Sequence, residues 1–425
     1  MAFLAALLMF CFVCVNYFLH RDLLYPGLLQ SSLWFVVLLI FLVHQGMFVP
    51  VSDSVFSLLI AGVFLFSLGA FLGSYNHKPH FMRNYVLSGT LPGRRTVVAL
   101  ACVVLLGLLL YLDRARELAS TGPFDNAFIN VRFAVSGDPE EGGGFGAVSY
   151  FVPLAYVLAA IVVLQRYGLA RPTASRIFVG VVVLVGIIFG ALSSGRGVLL
   201  PLIVVVLAIP AVLRFTKPVR TGIVLVVVTL LVFVAGGLAL GKGGTIGNSL
   251  AENWTTMRES LITYSVGGIP ALGVFLDNRG AELEMGMNSF RTISAVLQSL
   301  GFHTTVVPLV QVFVDVPMPT NVYTVYQPYI RDFGTLGGAT VLFVLGFIHA
   351  LLYRQATVRA PRGAYVFLFG VSLYPLVMQV FQDSYFSLLS TWIQYGVYAV
   401  LFFVVLSDRE YARRWWRRAT IRAES

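Results

Sequence analysis

Apolar residues in this chain come in long unbroken runs, and polar residues gather in the gaps between them. Runs at 2 to 19, 30 to 49, 54 to 74, 95 to 112, 147 to 165, 176 to 193, 197 to 213, 221 to 240, 334 to 353, 364 to 382 and 385 to 406 each approach the roughly 20 residues that carry an α-helix across a hydrocarbon core. The pattern predicts an all-α polytopic membrane protein with about 11 transmembrane helices. The first run has no basic residue ahead of it and no small-residue cleavage pattern behind it, so it is expected to remain a helix and not a removed leader.

Two connections on the same side of the predicted membrane are too long to be tight turns: 113 to 146 and 241 to 333. The first carries Phe124, Phe128 and Phe133 around Arg132, with Gly142 to Gly144 as a hinge, and suits either a flap over a site or an ordinary surface loop. The second changes from the period of a span to that of an amphipathic helix. In "SLAENWTTMRESLITY", Ser249 and Glu252 have capping-box spacing and Leu250, Trp254, Met257 and Leu261 share a face. "SVGGIPALGVFL" is short and broken by Gly267, Gly268 and Pro270, as a re-entrant or interfacial piece would be. "NSFRTISAVLQSL" puts Phe290, Ile293, Leu297 and Leu300 on one face. The expected organisation is therefore helices one to eight in 1–240 with an outer loop at 113–146, a helical cap at 241–333, helices nine to eleven in 334–407, and a basic tail at 408–425.

Composition agrees with the pattern. Of 425 residues, 58% are hydrophobic and 11% charged, and the mean hydropathy is +0.85, far from a soluble domain. Cys11, Cys14 and Cys102 all lie inside predicted spans, so neither a disulfide framework nor a metal-ligand cluster is expected. No cofactor and no nucleic-acid partner is implied.

Charge adds an orientation. Alternate connections are basic, among them "RYGLARPTASR", "RFTKPVR", "RQATVRAPR" and the tail "REYARRWWRRATIRAES", and such loops stay cytoplasmic. The N-terminus and the long cap are then expected outside, the tail inside. Nine of the 29 basic residues oppose this bias: Arg114, Arg116, Arg132, Arg196, Lys242, Arg258, Arg279, Arg291 and Arg331. Eight are arginine, whose planar fork grips phosphate bidentately. Arg114, Arg116 and Arg279 suit pairing with outer carboxylates.

Arg196 stands in "ALSSGRGVLL", at the boundary of two spans with a glycine on each side, which lets a ligand approach the backbone. The cap ends in "PTNVYTVYQPYIRDFGTLGG", where Asn321, Tyr323, Tyr326, Gln327, Tyr329, Arg331 and Asp332 supply amides, flat rings, a carboxylate and a guanidinium. Those groups suit a sugar next to a phosphate. With "LSSGRGVLL" closing one span, "NVYTVYQPYIRDFG" preceding another and a large outer loop between, the chain resembles the bacterial oligosaccharide repeat unit polymerases, the Wzy-type O-antigen polymerases.

The resemblance implies a fold similar to lipid-dependent integral membrane glycosyltransferases. The implied activity joins undecaprenyl-diphosphate-linked oligosaccharides at the periplasmic face of the bacterial inner membrane, and a chain-length regulator protein is the partner it would add. In that reaction a hydroxyl attacks an anomeric carbon and a lipid diphosphate leaves. Arg196 and Arg331 are expected to hold the diphosphate together, with Arg258, Arg291 and Arg132 on the substrate, and Asn321, Tyr323, Tyr326 and Tyr329 against its sugars. Asp332 is the first candidate base; Glu252, Glu259 and His303 follow.

Two alternatives use the same architecture. An O-antigen ligase would take the same donor to a different acceptor. A flippase or ion-coupled transporter would place ionisable residues at mid-membrane, whereas the polar residues within the spans are His44, Gln45, His349, Gln379 and Gln394. The two histidines read as hydrogen-bonded interior side chains.

Overall fold

A computed structural model describes residues 1–79, 86–89, 91–136, 144–193, 195–239, 250–279, 282–304, 306–308 and 311–407. The capping pair Ser249 and Glu252, the glycines Gly142 and Gly143, and the basic tail lie outside the described residues, Glu252 as to its side chain. The helices in chain order are α1 (Ala2–His20), α2 (Pro26–His44), α3 (Asp53–Gly73), α4 (Arg94–Thr121), α5 (Ala127–Ser136), α6 (Phe151–Tyr167), α7 (Arg176–Leu192), α8 (Arg196–Val212) and α9 (Pro218–Ala239). The cap and the C-terminal spans contain α10 (Leu250–Val266), α11 (Gly268–Asn278), α12 (Arg291–Ser299), α13 (Tyr326–Ala356), α14 (Gly363–Met378) and α15 (Leu389–Val400). A two-stranded antiparallel ribbon, β1 (Val314–Asp315) with β2 (Pro319–Thr320), precedes α13.

The protein is thus an all-α, multi-pass membrane protein. Among the described residues seven helices are long and apolar enough to cross a membrane, or eight if the broken pair at Trp254–Val266 and Gly268–Asn278, bent by 58°, counts as one span. The bend falls at the Gly267–Gly268 break that the sequence marks. The predicted spans at 176–193, 197–213, 364–382 and 385–406 are helical but shorter, at 10–17 residues. Local chemistry sets several ends: Ser175 accepts the N–H of Phe178 at 3.1 Å to open α7, Pro26 opens α2, and Arg21 closes α1 in the left-handed conformation at φ 51°.

The chain forms two compact units. The first comprises Met1–Pro79, Gly237–Arg354 and Tyr374–Ser390; the second comprises His80–Gly236, Gln355–Leu373 and Thr391–Ser425.

In the first unit α1, α2 and α3 pack with α13 around a core that includes Trp34, Phe56, Val63, Phe66 and Leu342. A Cβ added at Gly69 would lie 2.0 Å from the carbonyl oxygen of Phe343, and one at Gly346 would lie 2.1 Å from that of Phe66. The backbones of α3 and α13 therefore touch where both residues lack a side chain. Gly62 leaves room in the same way for the Tyr326 ring.

In the second unit α6 is the central helix. Val157 to Leu164 are buried without interruption, as expected of a helix apolar on all sides. Ring contacts fix its surroundings: Tyr111 of α4 stacks on Phe145 at 4.0 Å and meets Phe189 of α7 edge-on.

Candidate functional site

The sequence "NVYTVYQPYIRDFG" becomes a two-part support in the first unit. Its extended part is hydrogen-bonded to the segment after α14, Thr324 N–H to the Phe381 carbonyl at 3.0 Å and Val325 N–H to that of Gln379 at 2.8 Å. Its second part is the first two turns of α13, which break at Gly334, where φ is 70° and ψ is −179°. Only glycine adopts that conformation readily.

Helical spacing then sorts the side chains. Gln327, Ile330, Arg331 and Gly334 face one way, and with Tyr323 they form one wall of a cavity of about 390 Å³. Val274, Phe275 and Arg279 of α11 and the loop following it supply another wall, and Gln311, Val312 and Val314 close a third side. Glu282 and Glu284 line it as well. Its polar surface therefore combines two guanidinium groups, two carboxylates, amides and a phenol.

Arg331 donates from Nε to Glu284 Oε1 at 2.5 Å, both side chains about one-third exposed. Glu284 Oε2 accepts from the Asn288 amide at 2.8 Å, and the Glu284 backbone N–H donates to the Arg331 carbonyl at 3.1 Å. Tyr323 donates its hydroxyl to the Val312 carbonyl at 2.8 Å. Burial raises the affinity of that phenol for its proton, and the nearby positive charge of Arg331 opposes the shift. Gln327 donates to Gln311 at 3.1 Å.

The remaining faces of the α13 turns serve packing. Tyr326 is buried edge-on against Trp34 at 5.6 Å and donates to the Leu59 carbonyl at 3.2 Å. Tyr329 is fully buried and donates to Asp383 at 2.6 Å. Asp332 has no exposed surface; its carboxylate accepts the Asn288 N–H at 3.1 Å, the Asn288 amide at 2.8 Å and the Ser289 N–H at 2.6 Å. Asp332 is absent from the cavity lining, and its carboxylate holds the 288–289 turn.

Of the residues expected at the site, Arg331 and Tyr323 meet at one cavity; Tyr326, Tyr329 and Asp332 brace its wall from behind. Asn321 is half-buried beside them, and Arg258 is exposed on α10, outside the cavity lining. Arg291 donates from Nε to the Val307 carbonyl at 2.6 Å, and burial weakens the hold on its proton.

Arg196 and Arg132 belong to the second unit. Arg196 is the first residue of α8, and Arg132 Nη1 approaches the preceding turn, 3.8 Å from where a Gly195 Cβ would be. Arg114, expected to pair with a carboxylate, reaches Glu117 at 2.6 Å and the Gly144 carbonyl at 3.0 Å.

Sequence reasoning passed over Glu284 and Asp383. Glu284 lies 47 residues from its arginine, and no local pattern links the two. Asp383 is a different case: it accepts N–H groups of Tyr385, Phe386 and Ser387, so the stretch Asp-Ser-Tyr-Phe-Ser carries an Asx-type capping signal. His44 and His349 bond to the Ile40 carbonyl at 2.9 Å and to the Tyr385 hydroxyl at 3.0 Å. No family model matches this sequence, and neither a curated protein nor a solved structure matches it.

Proposed function

We propose that this chain is a lipid-diphosphate-dependent glycosyltransferase that polymerises undecaprenyl-diphosphate-linked oligosaccharide repeat units at the periplasmic face of the bacterial inner membrane. One observation carries the reading: Arg331, Arg279, Tyr323, Gln327 and two carboxylates share one cavity built on "NVYTVYQPYIRDFG". Amides, carboxylates and a ring match sugar hydroxyls and C–H faces, and guanidinium groups match a leaving diphosphate. Seven helices, or eight with the bent pair, are long and apolar enough to cross a membrane among the described residues, and such a multi-pass architecture is compatible with an enzyme of this kind.

In the reaction an acceptor hydroxyl forms a bond to the anomeric carbon, the bond from that carbon to the diphosphate oxygen breaks, and the hydroxyl proton leaves. Negative charge grows on the departing phosphate, where preorganised arginines lower the barrier most. Of the carboxylates that line the cavity, Glu282 replaces Asp332 as the candidate to receive that proton, since both oxygens of Glu284 are taken by Arg331 and Asn288.

The test is the surface-polysaccharide ladder of cells lacking the protein. A single capped repeat unit supports the polymerase. Loss of every capped form supports a ligase, and an unchanged ladder removes both readings. At verified protein levels, Arg331→Ala and Arg196→Ala should each cut polymer formation about 10²-fold. Lysine at either position should fail nearly as badly, because it keeps charge and loses the fork. Full-length polymer from either alanine variant would remove that residue from the reaction.

A further inference from the structure

We propose that Glu284 is a positioning residue for Arg331: it holds the guanidinium by Nε so that the two terminal nitrogens remain presented as a bidentate edge for a phosphate group. The proposal rests on the reading of this cavity as a place where a diphosphate is held.

Three observations lead to it. Glu284 takes only Nε of Arg331, at 2.5 Å, and the terminal nitrogens of Arg331 make no hydrogen bond or ion pair among the described residues. A guanidinium offers two edges for paired acceptors, and the end-on edge is the one left open. Second, Glu284 is itself immobilised, by the Asn288 amide at 2.8 Å and by its own N–H on the Arg331 carbonyl at 3.1 Å. Third, Asn288 is held by the buried Asp332 through both its backbone and its side chain. Asp332, Asn288, Glu284 and Arg331 thus form a closed support in which a residue with no exposed surface fixes, at two removes, a guanidinium that lines the cavity.

A long arginine side chain loses rotamer freedom when it grips a ligand, and one already held has lost it beforehand. That is the contribution assigned to Glu284. It sets a sign: if orientation matters most, removing the carboxylate weakens anion binding even though it also removes a negative charge from beside the anion.

Inorganic pyrophosphate, titrated calorimetrically into the full-length protein in detergent, tests this against Glu284→Ala, Glu284→Gln and Arg331→Ala. Glutamine keeps an acceptor oxygen for Nε and drops the charge. We expect E284A to bind about tenfold more weakly, E284Q to stay within about twofold of wild type, and E284A to have no effect in an Arg331→Ala background. Undecaprenyl diphosphate should rank the variants in the same order.

E284A binding as tightly as wild type or more tightly overturns the proposal, because Glu284 would then be a competitor for the arginine. E284Q failing as badly as E284A overturns it too, as does a loss that persists without Arg331, or a wild type that ignores pyrophosphate. Equal melting temperatures of E284Q and wild type exclude a folding defect as the cause. The polysaccharide ladder answers for the polymerase reading, and the pyrophosphate series answers for this one.

Discussion

Asp383 shows how a single carboxylate can be both buried and provided for. Burial raises its affinity for a proton above the ordinary carboxyl range, while the Tyr329 hydroxyl and the N–H groups of Ser387, Tyr385 and Phe386 pull it back. The folded protein therefore binds this proton more tightly than the unfolded chain does, so its contribution to stability falls as pH rises from the unfolded value of 3.8 through the higher folded one. Asp383→Asn keeps an acceptor for Tyr329 and has no charge to desolvate. The melting temperature of D383N relative to wild type should rise with pH across that window and then level off; a gap that narrows would show the ionised form to be the favoured one. The arginine and aromatic chemistry near this residue was legible in the sequence as a cluster. Which side of a helix each member occupies was not, because the first turns of α13 separate neighbours by about 100° and so divide Tyr329 from Arg331.

At the scale of elements, the α3–α13 crossing depends on missing atoms. Gly69 and Gly73 are four apart on α3, and a Cβ at Gly73 would press on the Phe347 carbonyl at 2.6 Å and on Ala350 at 3.0 Å. That small-residue spacing is visible in the sequence "GAFLG", but spacing names no partner helix. Gly346→Ala should destabilise the protein by about 1–3 kcal/mol or more, as overpacking does, while Gly222→Ala, with nothing within 4 Å of the added atom, should be tolerated. Thermal unfolding in detergent checks the pair. The helix α12 makes the opposite point. On the face read from the sequence, Phe290 packs edge-on against Phe386 at 5.4 Å and Leu297 is half-buried, but Ile293 and Leu300 are 47% and 68% exposed, as is the neighbouring Val296 at 53%, so part of the helix's apolar surface is left open. If lipid covers it, cysteines at Ile293 and Val296 should react more slowly with a membrane-impermeant thiol reagent than one at Gln298; equal rates would place that face in water.

For the whole molecule, the two units cut across the order of the chain. Each gathers three separate stretches, so the linear division into spans, cap and spans does not map onto them. The eleven apolar segments were legible because membrane solvation demands long hydrophobic runs wherever they fall in the fold. Grouping was illegible because two spans in lipid look alike until their neighbours are known. Orientation rests on loop charge alone. Reporters fused after Gly301 and after Ser407 should report opposite sides of the membrane, and the same side from both would reverse the assignment of the cap to the periplasm.

The break at Gly334 has a mechanical meaning. A continuous helix from Tyr326 to Ala356 would transmit every tilt of its apolar half to Arg331. With the chain interrupted at φ 70° and ψ −179°, the part that follows lipid thickness and the part that carries the guanidinium can settle their angles separately. Bilayers differ in thickness by a few ångströms, and spans answer by tilting. A protein built this way should keep its output nearly constant across acyl chain lengths, and Gly334→Ala, which disfavours the break, should make output follow membrane thickness.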